Sequence, residues 1–272
     1  KNLYILTFYT IKRVIGKFDA MSNNTLKDIL NILHLNRALK EAEMQAAISL
    51  IMDGKATQSQ IGAFLMGLAQ RGETPLEIAS AAKVLRERAS TLSTTGDYFD
   101  CCGTGGDGAH TYNISTAVGF VAAACGLSIA KHGNRASSSK SGAADVLEAL
   151  GINLISDVNI LQQAIDKIGF CFLMAPHHHA AMKHLKDARK DLGFKTFANL
   201  LGPLANPAGA QHQLMGVYDR KWVTPMAEVL RMLGCKGAWV VCGHDGLDEI
   251  SICAPTDIAI LDQQGTITQK TV

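Results

Sequence analysis

Apolar positions recur at helical spacing through the first third of the chain. They then give way to short apolar runs that alternate with helical stretches. The segments TLKDILNILH and EAEMQAAISLIMDG each carry one apolar face, and Gly54 stands where a left-handed C-cap would close the second. Thr57-Gln-Ser-Gln60 and Thr74-Pro-Leu-Glu77 have the spacing of capping boxes, and Pro75 falls on a first helical position. These signals predict four short helices in an all-α unit over residues 21–94. From about residue 97 the runs YFDCC, LSIAKHG, FCFLMA and AWVVCG read as buried strands, with NISTAVGFVAAACG and SGAADVLEALGI as helices among them. Strand alternating with helix predicts a mainly parallel sheet covered on both faces, an α/β domain over residues 95–272, with the boundary near TLSTTGD. The fold class expected is therefore α/β, with a small all-α N-terminal domain.

The ends stand apart from this pattern. Residues 1–20 precede Met21 and are read as an upstream or extraneous segment. As a signal peptide they fit poorly, because Thr7, Tyr9 and Thr10 break the apolar run and Lys12 and Arg13 follow it. At the other end the chain stops soon after the strand-like DIAIL, with no closing helix.

Composition narrows the function. Of 272 residues, 47% are hydrophobic and 18% charged, with a net charge of +2, which describes an ordinary globular chain. The absence of a Lys/Arg block and an aromatic content of 6% argue against nucleic acid, and no apolar run is long enough to span a membrane. Seven cysteines without a CxxC point to buried, reduced thiols in the cytoplasm rather than to a disulfide framework.

Four clusters carry the candidate chemistry. Gly103-Thr-Gly105-Gly-Asp-Gly108 matches G-x-G-x-x-G literally. The acid that a dinucleotide site needs about 20 residues on is missing, since LSIAKHG stands there instead. A P-loop is excluded by the lack of G-K-[ST]. What remains is a glycine turn leading through Asn113, Ser115 and Thr116 into a helix, a place that favours anions. The second cluster runs from Lys131 to Gly142 and gathers lysines, Arg135, serines and glycines at the next strand end, which suits phosphate. The third, Asp248-Glu249, follows the strand AWVVCG, and two carboxylates beside a phosphate suit Mg²⁺. The fourth is His177-His-His179. Three adjacent histidines do not face one metal, so a pocket-lining loop or helix start is favoured over zinc. Arg189 follows on a helical run, and its planar fork matches a carboxylate.

GTGGD…NIST, KHGNR…SSKSG, APHHHAAMKH, FANLLGPLANPA and GLDEIS stand in an order that resembles the anthranilate phosphoribosyltransferases of tryptophan biosynthesis. The likeness runs from about Thr25 to the end. It implies a class II nucleoside phosphorylase-like fold, in which residues from about 176 to 193 join the small domain. It also implies transfer of phosphoribosyl from phosphoribosyl pyrophosphate to anthranilate with Mg²⁺, and a homodimer joined through the α domain. Phosphoribosyl pyrophosphate would be held by Gly103, Gly106, Asp107, Thr111, Asn113, Ile114, Ser115, Thr116, Lys131, His132, Gly133, Asn134, Arg135, Ala136, Ser137, Ser138 and Ser139. Gly103, Asn134 and Arg189 would hold anthranilate, and Ser115, Asp248 and Glu249 the metal. No residue is assigned as general acid or base. Ala143 stands where the family usually has Ser, which removes one hydroxyl contact, and Ala180 replaces a common Pro; family members also continue past residue 272, so the resemblance implies an α/β domain incomplete at its C-terminal end, with low stability expected. The alternatives are a pyrimidine nucleoside phosphorylase of the same fold and a non-catalytic nucleic-acid-binding paralogue.

Overall fold

The computed structural model describes residues 25–89, 92, 96–109, 111–136 and 140–272, leaving aside the side chains of residues 180 and 181. The segment 1–20, and Ser137, Ser138 and Ser139, lie outside the described residues.

Four helices open the chain: α1 (Leu26–His34), α2 (Glu41–Met52), α3 (Gln58–Arg71) and α4 (Pro75–Glu87). The caps explain where they start. Thr57 and Gln60 exchange hydrogen bonds of 3.0 and 3.2 Å, and Thr74 and Glu77 bonds of 2.9 and 3.3 Å. A third box, Thr25 with Asp28, opens α1. Glu77 is fully buried, yet Arg71 meets both its oxygens, at 2.6 and 2.7 Å, and the Leu39 N–H donates to it at 2.8 Å. A buried carboxylate is tolerated only when satisfied in this way.

The second part is built on one seven-stranded sheet: β1 (Phe99–Gly103), β2 (Ile129–Gly133), β3 (Phe170–Met174), β4 (His212–Gly216), β5 (Gly237–Gly243), β6 (Thr256–Leu261) and β7 (Ile267–Thr271). The order is β3-β2-β1-β4-β5-β6-β7. The first five strands run parallel and the last two pair antiparallel. The helices between them are α5 (Ile114–Ala124), α6 (Ala143–Ala149), α7 (Val158–Ile168), α8 (Ala175–His178), α9 (Lys186–Leu192), α10 (Ala198–Leu204) and α11 (Val223–Met232).

Strand alternation assigns the faces. In β3, Phe170, Phe172 and Met174 join a core with α5 and α6, while Cys171 and Leu173 join another with α7. The largest core is continuous from Ile29 and Phe64 in the helical unit, through Leu200 and Leu201 of α10, to Met215 of β4 and Val240 of β5. A 3₁₀ turn (Ala180–Leu185) and α9 add Leu185 and Ala188 to this core. They pack against α2 and α3. Helices thus cover both faces of β1–β3. Over β5, Trp239 on the face away from α11 stays 42% exposed beneath the Lys270 ammonium.

Two strands, β4 and β7, were not predicted. In β4 polar residues interrupt the apolar signal, but each has a partner. His212 stacks on Phe99, and buried Gln213 donates to the Pro203 carbonyl at 2.7 Å. All seven cysteines are free thiols. Among the described residues no helix is long and apolar enough to cross a membrane.

Candidate active site

Strand order reverses between β1 and β4, where the chain continues outward in opposite directions. Parallel sheets bind ligands just beyond the strand C-termini at such a point. Here Gly103 ends β1 and Gly216 ends β4, directly opposite each other in register. A Cβ on Gly103 would run into the Asp248 carboxylate, and one on Gly216 into the Asp248 backbone carbonyl. Two glycines therefore clear the space in which the acidic loop after β5 crosses the crevice. The loop is tied down on the glycine turn by the Gly105 N–H, which donates to Asp248 Oδ2 at 2.7 Å. The Thr104 N–H donates to the Gly216 carbonyl at 2.9 Å, and the Tyr218 N–H to Thr104 Oγ1 at 3.0 Å.

The turn itself depends on backbone that only glycine adopts readily. Gly105, Gly106 and Gly108 have φ of 65°, 76° and 73°. Asp107 folds back to accept from the Ala109 N–H at 3.2 Å and lies against Asp248. Burial, then the neighbouring Asp107 charge, pushes the Asp248 carboxyl up to about 6. Burial also pushes Glu249 up, against the pull of Ser115 and Lys131.

Helix α5 begins at the edge of this cluster. Its N-cap Asn113 makes no side-chain cap and reaches Ser141 Oγ instead, at 3.0 Å. Glu249 takes the capping place: its Oε1 accepts from the Ser115 N–H at 3.1 Å and from Ser115 Oγ at 2.6 Å. Thr116 is buried, and its hydroxyl makes no hydrogen bond among the described residues. Thr111 is exposed, and Ile114 is half-buried at the head of the helix.

The second cluster is divided by the structure. Lys131 is buried, its ammonium turned onto the Cys101 carbonyl beneath the site. The His132 N–H donates to Asp100 at 3.0 Å, and its ring stacks edge-on against His179. Burial, then the neighbouring His179, lowers the His132 imidazole to about 3, so it is neutral at any ordinary pH. Gly133 ends β2, where a Cβ would strike Phe172 and Ala143. Asn134 accepts from the Arg135 N–H at 2.7 Å. Arg135 is held by carboxylates of α6. Its guanidinium forks onto Glu148 with two 2.6 Å bonds and also meets Asp145 at 3.2 Å. The Ala136 N–H is taken by Asp145 at 2.9 Å.

Arg189 is different. It projects from α9, half-buried, and no carboxylate or carbonyl holds its guanidinium among the described residues. Its donors form a planar fork of the kind that matches a carboxylate. It and Asn134 stand on separate elements with no hydrogen bond between them. His177 and His178 lie in α8 and His179 follows, and among the described residues no group of three or more His, Cys, Asp or Glu is arranged to hold a metal ion. Ser115, Asp248 and Glu249 nevertheless offer oxygen donors only. That suits Mg²⁺, which takes one or two carboxylates and completes its shell with water and phosphate.

Two residues of this region were not among those predicted. Gly216 is one, and its part appears only when β4 is placed beside β1. Lys195 is the other. A Cβ built at Gly106 would lie 3.3 Å from Lys195 Cε and 3.8 Å from Nζ.

The chain is similar to known proteins in both parts. Residues 27–89 match the helical bundle domain of a glycosyl transferase family, and residues 95–272 match its a/b domain. An anthranilate phosphoribosyltransferase of Rhodospirillum rubrum is 52% identical over 236 residues, 87% of this chain and 68% of the relative. One of Myxococcus xanthus is 50% identical over 249 residues, 91% of this chain and 74% of the relative. The crystal structure of the Thermus thermophilus anthranilate phosphoribosyltransferase superposes with a TM-score of 0.81 at 39% identity, covering 89% of this chain and 73% of that one. That of Saccharomyces cerevisiae, solved in complex with PRPP and Mg, also gives 0.81, at 29% identity, covering 92% and 73%. Sharing half its residues with enzymes of one name along nearly nine-tenths of its length, and their fold in both parts, the chain belongs to the anthranilate phosphoribosyltransferase family.

Proposed function

We propose that the protein transfers the phosphoribosyl group of phosphoribosyl pyrophosphate (PRPP) to the amine of anthranilate, releasing pyrophosphate. The observation that carries this reading is the convergence of the glycine turn, the head of α5 and the Asp248-Glu249 pair at the reversal of strand order. A turn of glycine N–H groups beside a helix start accepts phosphate, and an adjacent pair of carboxylates accepts its metal. The yeast relative was solved with PRPP and Mg.

In the reaction the C1–O bond to pyrophosphate breaks, the anthranilate nitrogen bonds to C1, and that nitrogen then sheds a proton. An aromatic amine needs no strong base once it is oriented, so positioning contributes most. Arg189 would hold the anthranilate carboxylate, with Asn134 and Gly103 beside it. Asp107, the turn N–H groups and the α5 residues Asn113 to Thr116 would hold the phosphoribosyl group. Ser115, Asp248 and Glu249 would hold Mg²⁺, which when bound neutralises charge on the departing pyrophosphate. We further propose a cytoplasmic homodimer, supported by the buried free thiols and by the exposed apolar Leu35, Met66 and Leu76 on the helical unit.

The test is loss of anthranilate fluorescence on adding PRPP, with and without Mg²⁺. Mg²⁺-dependent loss is expected, and its absence from folded protein would sink the reading. Arg189→Ala should raise the anthranilate KM about tenfold or more while the PRPP KM changes little, because one charge-assisted carboxylate contact is removed. Equal effects on both substrates would remove Arg189 from that role.

A further inference from the structure

A pyrophosphate site needs cations, and the two expected to supply them each have a partner here, although Lys131 keeps its charge beside Glu249. Lys131 is turned onto the Cys101 carbonyl, and Arg135 is forked onto Glu148. Lys195 is not engaged in this way. It precedes α10 and is exposed, and no carboxylate pairs with it among the described residues. Its stem passes over Gly106, close enough that any side chain there would press on it. Its ammonium rests 4.1 Å from the centre of the Tyr218 ring. Tyr218 is in turn fixed to the same turn through its N–H on Thr104 Oγ1. An aromatic face holds an ammonium in place without neutralising it or occupying its hydrogen-bond donors.

We propose that Lys195, seated on Tyr218, is a pyrophosphate-binding residue of this site, donating to the phosphoryl oxygens of the leaving group. This rests on the transferase reading for its substrate. Gly106, required by its positive φ, also leaves the stem room to lie over the turn. Tyr218 gains a part, as the platform that aims the ammonium.

The experiment is calorimetric titration with Mg²⁺-pyrophosphate, followed by steady-state kinetics, on wild type and the variants Lys195→Met, Lys195→Arg, Tyr218→Phe and Tyr218→Leu. Lys195→Met should weaken Mg²⁺-pyrophosphate about tenfold and raise the PRPP KM in parallel, with the anthranilate KM within about twofold. Lys195→Arg should recover most of the affinity, since charge and reach are kept. Tyr218→Phe should bind as wild type does, and Tyr218→Leu should lose part of the affinity. An unchanged pyrophosphate affinity in Lys195→Met overturns the proposal, as does a loss confined to ribose 5-phosphate titrated in parallel. Wild-type protein that binds Mg²⁺-pyrophosphate through Lys195 but does not consume anthranilate would leave Lys195 in place and sink the transferase reading instead.

Discussion

Asp248 is opposed from two sides, by burial and by the Asp107 charge, and its carboxyl is raised to about 6. The sign of the consequence is fixed by linkage. Between about pH 4 and pH 6 the folded protein retains a proton that the unfolded chain has released, so this group makes the metal-free protein less stable as pH rises through that window. Above it the penalty is constant, at most about 3 kcal/mol for a shift of about two pH units. Asp248→Asn removes the charge and keeps an acceptor for the Gly105 N–H. Metal-free Asp248→Asn should therefore melt several degrees above wild type at pH 8, with the gap narrowing towards pH 4. Mg²⁺ should stabilise wild type and not the variant, and its affinity for wild type should fall as pH drops below about 6, where the proton competes. A variant that melts below wild type at pH 8 would mean that the charge is not frustrated.

At the scale of elements, the site depends on strands approaching one another and the acidic loop more closely than side chains permit. Gly216 shows how tightly. Its neighbour is the Asp248 backbone of the acidic loop, so a methyl group there cannot be accommodated by a side-chain rotation. Gly216→Ala should destabilise by about 1–3 kcal/mol and remove most Mg²⁺-dependent activity by shifting Asp248. Gly202→Ala is the control. It lies in α10 with open space around its Cβ position and should leave stability unchanged or raise it by up to about 1 kcal/mol. Urea melts and turnover of both variants decide this. The same contrast separates what was legible in the sequence from what was not. Thr57–Gln60 and Thr74–Glu77 are readable because a capping box closes within four residues. The glycine turn and the α5 start are readable because they are continuous in sequence. Strand β4 was missed because His212 and Gln213 have their partners in Phe99 and Pro203, far along the chain or outside the strand. Gly216 and Lys195 went unread for the same reason: each matters through a neighbour brought to it by the sheet. The Arg135–Glu148 pair went unread because its members stand thirteen residues apart on different elements.

For the whole molecule, the question is whether the helical unit and the sheet are separate bodies. A bundle of about 65 residues buries a small share of its surface and is marginal alone. Here its core does not stop at its own boundary but continues through α10 and α11 into β4, β5 and β6. Arg86 of α4 fastens the same junction, donating to the carbonyls of Leu204 at 2.6 Å and Leu233 at 3.3 Å, where α10 and α11 end. Phe64 of α3 is fully buried and meets Phe197 edge-on, ring centres 5.9 Å apart, across that junction. Chains of this size often unfold in steps, domain by domain. The shared core argues for one step. Trp222, buried within it, and Trp239 of β5 both stand on the sheet side and report that half by fluorescence, while far-ultraviolet dichroism sums the helices of both parts. The two signals should follow one urea transition. Phe64→Ala should lower stability by about 3–5 kcal/mol and move both midpoints together, although the substitution is made only in the helical unit. If dichroism splits into two transitions, the first moved to lower urea, and tryptophan fluorescence stays where it was, the bundle melts independently and the core, though continuous, does not couple the two parts.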